Sequence, residues 1–373
     1  MSAASRTKAR VRYAVVGLGH IAQVAVLPAF RSAGNSQLVT VVSNDADKRA
    51  KVTQQYRLAE SYSYDEYGQA LESVDAVYIA LPNHLHHEYA VRAADAGKHV
   101  LCEKPMAVTE WECEAMIEAA RGNSVKLMIA YRLHFEAGNL EAGKVARSET
   151  IGEVRFFSSE FAQQVAADNV RVTEPIEKGG GPVYDMGVYC INAARYLFQA
   201  EPTRVLAASA TARGDARFDQ TNEMVSATLQ FPEERLATFT CSFGAADISR
   251  YTPAGTKGIL TADPAYEYSM AVKHQLMIDG KTKKRSFPKR DQFAAELVYF
   301  SDCIVRNKEP EPSGTEGLAD VRIVRAIYES ARRGNAIELT GMPEKKKPSA
   351  RQEIHRPAHG KPETHKVKSA SGE

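Results

Sequence analysis

Lys104, Asp185 and Tyr189 have the types and spacing to do acid–base chemistry on an alcohol, and Asn192 shares the helix face of the last two. Lys104 stands in "HVLCEKPMAV", where an apolar run ends abruptly in Glu103, Lys104 and Pro105. A solvated turn with an incidental ion pair is the plain alternative for that triplet. The other three stand in "KGGGPVYDMGVYCINAARYLF", where Pro182 suits the first turn of a helix. Val183, Gly187, Cys190, Ile191, Ala194, Leu197 and Phe198 then repeat at helical spacing and form one apolar stripe. Asp185, Tyr189, Asn192 and Tyr196 take the other face, and Asp185 and Tyr189, four apart, project together. Solvation of that face accounts for Asp185 and Asn192, but it does not account for three glycines at the helix entry.

Taking hydride from a carbon that bears a hydroxyl needs a base for the hydroxyl proton and a cation for the developing alkoxide. A phenol serves as that base when an ammonium lies beside it. Unit charges about 4 Å apart attract by up to about 4 kcal/mol at an effective dielectric of 20. Tyr189 is therefore the expected acid/base, Lys104 the group that activates it and binds the substrate oxygen, and Asp185 the group that orients the hydroxyl or Lys104. Lys104, Asp185 and Tyr189 are the expected substrate contacts.

These residues need a scaffold, and the first third of the chain supplies the pattern of one. Five short apolar runs, "VRYAVVG", "SQLVTVVS", "DAVYIAL", "HVLCEK" and "KLMIAY", alternate with amphipathic segments such as "HHEYAVRAADAG" and "TEWECEAMIEAARG". That alternation predicts an α/β domain over residues 11–132, a doubly wound parallel sheet of the Rossmann type. Ligands of such sheets bind beyond the carboxyl ends of the strands. Those ends are Gly17, Ser43, Pro82, Lys104 and Arg132.

The first turn carries Gly17-x-Gly19-x-x-Ala22 before a helix, a pattern that brings a pyrophosphate onto the helix N-terminus. Gly17, Gly19, His20 and Ile21 are the expected phosphate contacts, with Pro82, Asn83, His86, Glu103, Lys104 and Arg132 along the rest of the rim. The end of the second run decides the dinucleotide. Ser43 and Lys48 there suit the 2′-phosphate of NADP, whereas a carboxylate would repel it. Asp45 is the competing reading: a strand ending two residues later would make it a ribose ligand and favour NAD.

Beyond Arg132 several extended runs follow one another, predicting a second α/β domain over 133–341 with a large, mostly antiparallel sheet. From Met342 the composition shifts to Lys, Pro, His and Glu, with eight Lys or Arg against four acidic residues, so 342–373 is expected to be a disordered basic tail. With 48 basic and 46 acidic residues overall, the net charge of +2 gives no pull toward nucleic acid or membrane, and a small-molecule partner is expected. Five scattered cysteines suit reduced thiols in a cytoplasm. His84, His86 and His87 lie close in sequence, but no matching thiol or carboxylate pattern accompanies them, so no metal is expected.

"GLGHIA", "CEKP", "YRLHFE" and "GGGPVYDMGVYCIN", in this order, resemble the Gfo/Idh/MocA oxidoreductases, and more narrowly their glucose–fructose and aldose–aldose oxidoreductase branch. The resemblance runs from about residue 11 to 340. It implies a Rossmann domain, an open-sheet domain that often forms a homodimer contact, Lys104 as the catalytic lysine, Asp185 beside the substrate, Tyr189 where much of the wider family has histidine, and Asn192 as a further substrate contact. It further implies oxidation of a pyranose at C1 to its lactone with tightly held NADP(H), re-oxidised by a second sugar. The alternatives are a sugar dehydrogenase or reductase with dissociable NADP(H), and a non-catalytic nucleotide-binding regulator. Relatives brace the cofactor with a long N-terminal arm, whereas about ten residues precede the first strand here.

Overall fold

The computed structural model describes residues 10–342 and 348–371. Five strands, β1 Val11–Val16, β2 Ser36–Val42, β3 Ala76–Ile79, β4 His99–Glu103 and β5 Leu127–Ala130, form a parallel sheet in the order β2-β1-β3-β4-β5. They read as continuous apolar runs because both faces are covered. Tyr13, Val15, Tyr78, Leu101 and Met128 face one layer; Ala14, Val16, Ile79, Cys102 and Ile129 face the other. The helices are α1 (residues 20–29), α2 Ala46–Tyr56, α3 Tyr67–Glu72, α4 His86–Asp95 and α5 Glu110–Gly122. Thr109 and Glu112 cap α5 reciprocally, which explains its sharp start just after the Lys104 loop.

The second sheet has nine strands. They are β6 Val154–Ala162, β7 Arg204–Ala210, β8 Met224–Phe231, β9 Arg235–Ser242, β10 Ile248–Gly255, β11 Gly258–Ala262, β12 Val272–Ile278, β13 Lys281–Phe287 and β14 Ile337–Glu338. Their order is β13-β12-β11-β10-β6-β9-β8-β7-β14, antiparallel except for the parallel pair β6–β9. One face is packed under α6 Ala137–Arg147 and α7 (residues 182–198); α9 Gly314–Arg333 lies against both α5 and β7.

The assignment of all of residues 133–341 to the second domain needs a correction. Helix α8, Gln292–Val305, comes late in the chain, yet Phe293, Leu297 and Phe300 pack into the first sheet's core beside Tyr13 and Val26. A continuous stripe of apolar residues gives a helix a face to bury but does not say against which sheet.

The tail also departs from expectation. Residues 348–371 lie along the molecule, with Gln352 and Ala370 buried. Composition captures how little apolar surface this segment has. It does not capture the backbone hydrogen bonds and ion pairs that seat it.

Candidate active site

A cavity of about 1270 Å³ runs along the carboxyl ends of the parallel strands and under the second sheet. Its floor is the glycine turn. Gly17 has φ +96°, and a Cβ there would meet the Ala80 carbonyl oxygen at 2.4 Å, so both the turn and its neighbour demand glycine. Around Gly19 the space within 4 Å of an added Cβ is open, the cradle a pyrophosphate needs. His20 and Ile21 follow on the cavity wall at the start of α1.

At the end of β2, Ser43 and Lys48 line the cavity and Asp45 does not. The strand stops at Val42, and Asp45 caps α2, its side chain accepting from the Lys48 backbone N–H at 2.9 Å. One of its oxygens caps the helix, and the strand end at Val42 puts Ser43 instead of Asp45 on the cavity wall.

Pro82 and Asn83 line the cavity, and Asn83 Nδ2 donates to the Gly179 carbonyl at 2.7 Å, tying the glycine loop of the second domain to the first. The triple glycine has a steric cause: a Cβ on Gly180 would fall 1.9 Å from the Glu174 carbonyl oxygen. Close approach at that loop sets where α7 begins, and hence where Asp185 and Tyr189 point.

His86 is the one expected rim residue that turns away. It is fully buried, with Nδ1 at 2.8 Å from the Pro105 carbonyl and Nε2 at 2.9 Å from the Leu81 carbonyl. A neutral ring donates to one at a time, and burial lowers its pKa. It fastens the Leu81 and Pro105 loops together from behind. His84 faces Glu174 at 3.9 Å and His87 packs on Trp111, so the three histidines diverge. Among the described residues no cluster of His, Cys, Asp or Glu suits a metal ion.

The expected catalytic groups do converge. Helix α7 opens with wide π-type turns over Val183–Gly187, and both Asp185 and Tyr189 reach the cavity. Lys104 Nζ donates to Asp185 Oδ1 at 3.1 Å and to its carbonyl at 2.9 Å, and lies 4.7 Å from the Tyr189 ring centre. Arg171 Nε meets the other Asp185 oxygen at 2.9 Å. Arg132 is wedged between Tyr189 and Tyr268, its guanidinium 5.0 and 5.3 Å from the two ring centres, and donates to Gln292 Oε1 at 2.6 Å.

Burial opposes charge on Lys104, but Tyr189, Asp185 and Glu103 outweigh it and raise the ammonium's pKa. Burial likewise opposes the Asp185 carboxylate, and Arg171 and Lys104 outweigh it, holding the group below its ordinary value. Glu103, at the cavity edge, is raised by burial, with Lys104 pulling the other way, and accepts from the Tyr78 hydroxyl at 2.8 Å. The set is a fixed ammonium, a fixed carboxylate and a phenol on one wall.

Asn192 does not join them. It is 4 % exposed and lies inside the second domain, donating to Glu316 Oε1 at 2.7 Å and Asp320 Oδ2 at 3.0 Å and facing His134 Nε2 at 2.9 Å. The buried Arg195 completes that network with Glu201, Glu316 and Asp320. Beyond Tyr189 helix α7 is buried on all sides, so its polar face there meets other polar groups instead of solvent or substrate.

Sequence reasoning missed Arg171, Tyr268 and the tail. Arg171 lies in the four-residue helix Val170–Thr173 and Tyr268 in an irregular segment, and neither is long enough to show a periodicity. The five residues 366–370 line the same cavity and carried a visible signal, a basic segment beside a slightly acidic folded part.

Comparison with known proteins agrees with this architecture. Residues 11–131 match the oxidoreductase family with NAD-binding Rossmann fold named GFO_IDH_MocA, and residues 139–261 match the GFO/IDH/MocA C-terminal domain. The aldose–aldose oxidoreductase of Caulobacter crescentus, solved with glycerol, is 36 % identical with a TM-score of 0.84, covering 88 % of this chain and all of that one. A 3-ketoreductase of Actinomadura kijaniata, solved with NADP and TDP-benzene, is 25 % identical with a TM-score of 0.78, covering 86 % of this chain and 98 % of that one. The NADP(+)-dependent D-xylose 1-dehydrogenase of Haloarcula marismortui is 31 % identical, over 88 % of this chain and 93 % of that protein. With both domain models matched in chain order, this protein is an oxidoreductase of the GFO/IDH/MocA family.

Proposed function

We propose that this chain is an NADP-dependent aldose oxidoreductase that oxidises C1 of a pyranose of the glucose or xylose type to its lactone. The observation that carries the reading is the meeting of Lys104, Asp185 and Tyr189 in the cavity that also contains the glycine turn. The open cradle at Gly19, together with Ser43 and Lys48 on the wall, fits a dinucleotide with a 2′-phosphate. When bound, NADP accepts the hydride that leaves C1.

The protein's share of the reaction is proton transfer and charge placement. Tyr189 takes the proton from the C1 hydroxyl as the C1–H bond breaks, leaving the carbonyl of the lactone. Lys104 holds its ammonium against the oxygen that carries developing negative charge. Asp185 fixes that ammonium and needs no proton of its own, since Arg171 and Lys104 keep it ionised. Arg132 adds a second cation at the Tyr189 ring. In the reverse half-reaction Tyr189 returns the proton to the carbonyl oxygen of a second sugar as its carbonyl carbon takes back the hydride, giving an alditol.

A second reading, a sugar dehydrogenase whose NADP(H) leaves after each cycle, is favoured by the likeness to the D-xylose 1-dehydrogenase. Absorbance of the desalted protein before and after adding an aldose separates the two. Bound nicotinamide that becomes reduced supports the first reading, absence of bound nucleotide supports the second, and a bound nucleotide that never responds overturns both in favour of a non-catalytic binder.

The reading includes a homodimer. Cross-strand register puts Phe156, Leu206, Leu236 and Met277 on one open face of the nine-stranded sheet, and each is 41 % exposed or more. Four exposed apolar side chains on one sheet face, among polar neighbours such as Glu160 and Arg250, support a protein contact there.

A further inference from the structure

The C-terminal segment crosses the mouth of the cofactor cavity. It is anchored first where Gln352 Nε2 donates to the Glu311 carbonyl at 2.7 Å and the Asp291 backbone N–H donates to the Arg356 carbonyl at 3.1 Å. It then reaches the first domain. Gln23 and the His365 backbone exchange two hydrogen bonds, at 2.7 and 3.1 Å, and Gln55 donates to the Glu363 carbonyl at 3.1 Å. Beyond the mouth it docks on the second domain, with Lys368 on Asp168 at 2.7 Å and the Ala166 N–H donating to the Ala370 carbonyl at 2.9 Å. The segment is thus held on both banks, with residues 366–370 lining the cavity between them.

Its charge falls at a telling position. Asp45 and Asp47 sit at the start of α2, next to the wall where Ser43 and Lys48 would receive a 2′-phosphate. Two carboxylates there oppose a phosphate. Lys366 lies 2.8 Å from Asp47 and 3.6 Å from Asp45 and also lines the cavity, so it offsets that negative charge and adds an ammonium donor at the same wall.

We infer that residues 363–370 form a strap over the bound dinucleotide, in which Lys366 is a 2′-phosphate contact that makes the site selective for NADP over NAD. The inference rests on the NADP reading above and adds a cofactor contact from a segment outside both family domains. A strap of this kind would slow cofactor release, because the dinucleotide would leave only when the hydrogen bonds to Gln23 and Gln55 and the ion pairs of Lys366 and Lys368 let go.

The test uses the full-length protein stripped of nucleotide, with NADPH and NADH as probes in fluorescence titrations of wild type, Lys366→Glu and Lys366→Arg. Wild type is expected to prefer NADPH. Lys366→Glu should weaken NADPH by about tenfold or more with NADH changed little, and Lys366→Arg should keep most of the preference. Saturating NADPH should also slow trypsin cleavage after Lys366 and Lys368. A wild type with no preference overturns the NADP reading and the Lys366 contact together. A wild-type preference that Lys366→Glu leaves intact overturns the contact alone. Absence of NADPH protection from trypsin overturns the strap, as does tighter NADPH binding by Lys366→Glu, which would make the tail a competitor.

Discussion

Lys104 presents its ammonium to Tyr189 from 4.7 Å and to the Asp185 carboxylate from 3.1 Å, joining the end of strand β4 in one domain to helix α7 in the other. The neighbours of each group favour its charged form, so the pair is a preset electrostatic frame around the phenol. Its consequences can be measured one residue at a time.

Asp185→Asn should lower kcat by about tenfold or more, because Lys104 and Arg171 are left to repel each other and the ammonium loses its fixed position. It should also change acid stability in a defined direction. The folded-state pKa of Asp185 is below its ordinary 3.8, so its contribution is fully present above that value and is lost as pH falls through the lower, folded one. Urea midpoints of wild type and variant should therefore differ at neutral pH and converge in acid. A gap that stays constant down to pH 2 contradicts the assignment.

Asn192→Ala removes one donor shared by Glu316 and Asp320 inside the second domain. It should cost about 1–3 kcal/mol of stability while leaving the KM for sugar unchanged in the folded enzyme. A raised KM at unchanged stability would restore Asn192 to the substrate site.

Gly180→Ala places a methyl where the Glu174 carbonyl stands, so the glycine loop must shift and carry the start of α7 with it. Activity should fall by about tenfold or more even at temperatures where circular dichroism reports a folded protein. Wild-type turnover would mean that the loop does not set the position of Asp185 and Tyr189.

Phe156→Glu combined with Leu236→Glu puts two carboxylates side by side on the open sheet face, since the two residues are cross-strand partners. Light scattering should show a dimer for wild type and a monomer for the variant. A wild-type monomer would refute the proposed dimer.

Much of this molecule was legible in its sequence. The parallel strands were readable because burial on both faces leaves uninterrupted apolar runs, and the glycine turn because φ +96° at Gly17 admits little else. Ser43, Lys48, Pro82, Asn83, Glu103, Lys104 and Arg132 reach the cavity as their places at strand ends imply. His86 and Asn192 did not, and for one reason: a polar side chain near a site looks the same in sequence whether it meets a ligand or a buried backbone carbonyl or carboxylate. The packing of helix α8 on the first sheet escaped because periodicity defines a buried face without naming its partner. The tail escaped because it is seated by charge and backbone bonds, which a count of apolar residues does not weigh.

The most direct measurement is the rate of hydride transfer in a single turnover, followed as nicotinamide absorbance after mixing an aldose with NADP-loaded wild type and Tyr189→Phe. Phenylalanine keeps the ring beside Lys104 and Arg132 and removes only the hydroxyl. The rate should fall by about 10²–10⁴-fold with NADPH affinity unchanged. A variant that transfers hydride within a few-fold of wild type would contradict Tyr189 as the acid/base.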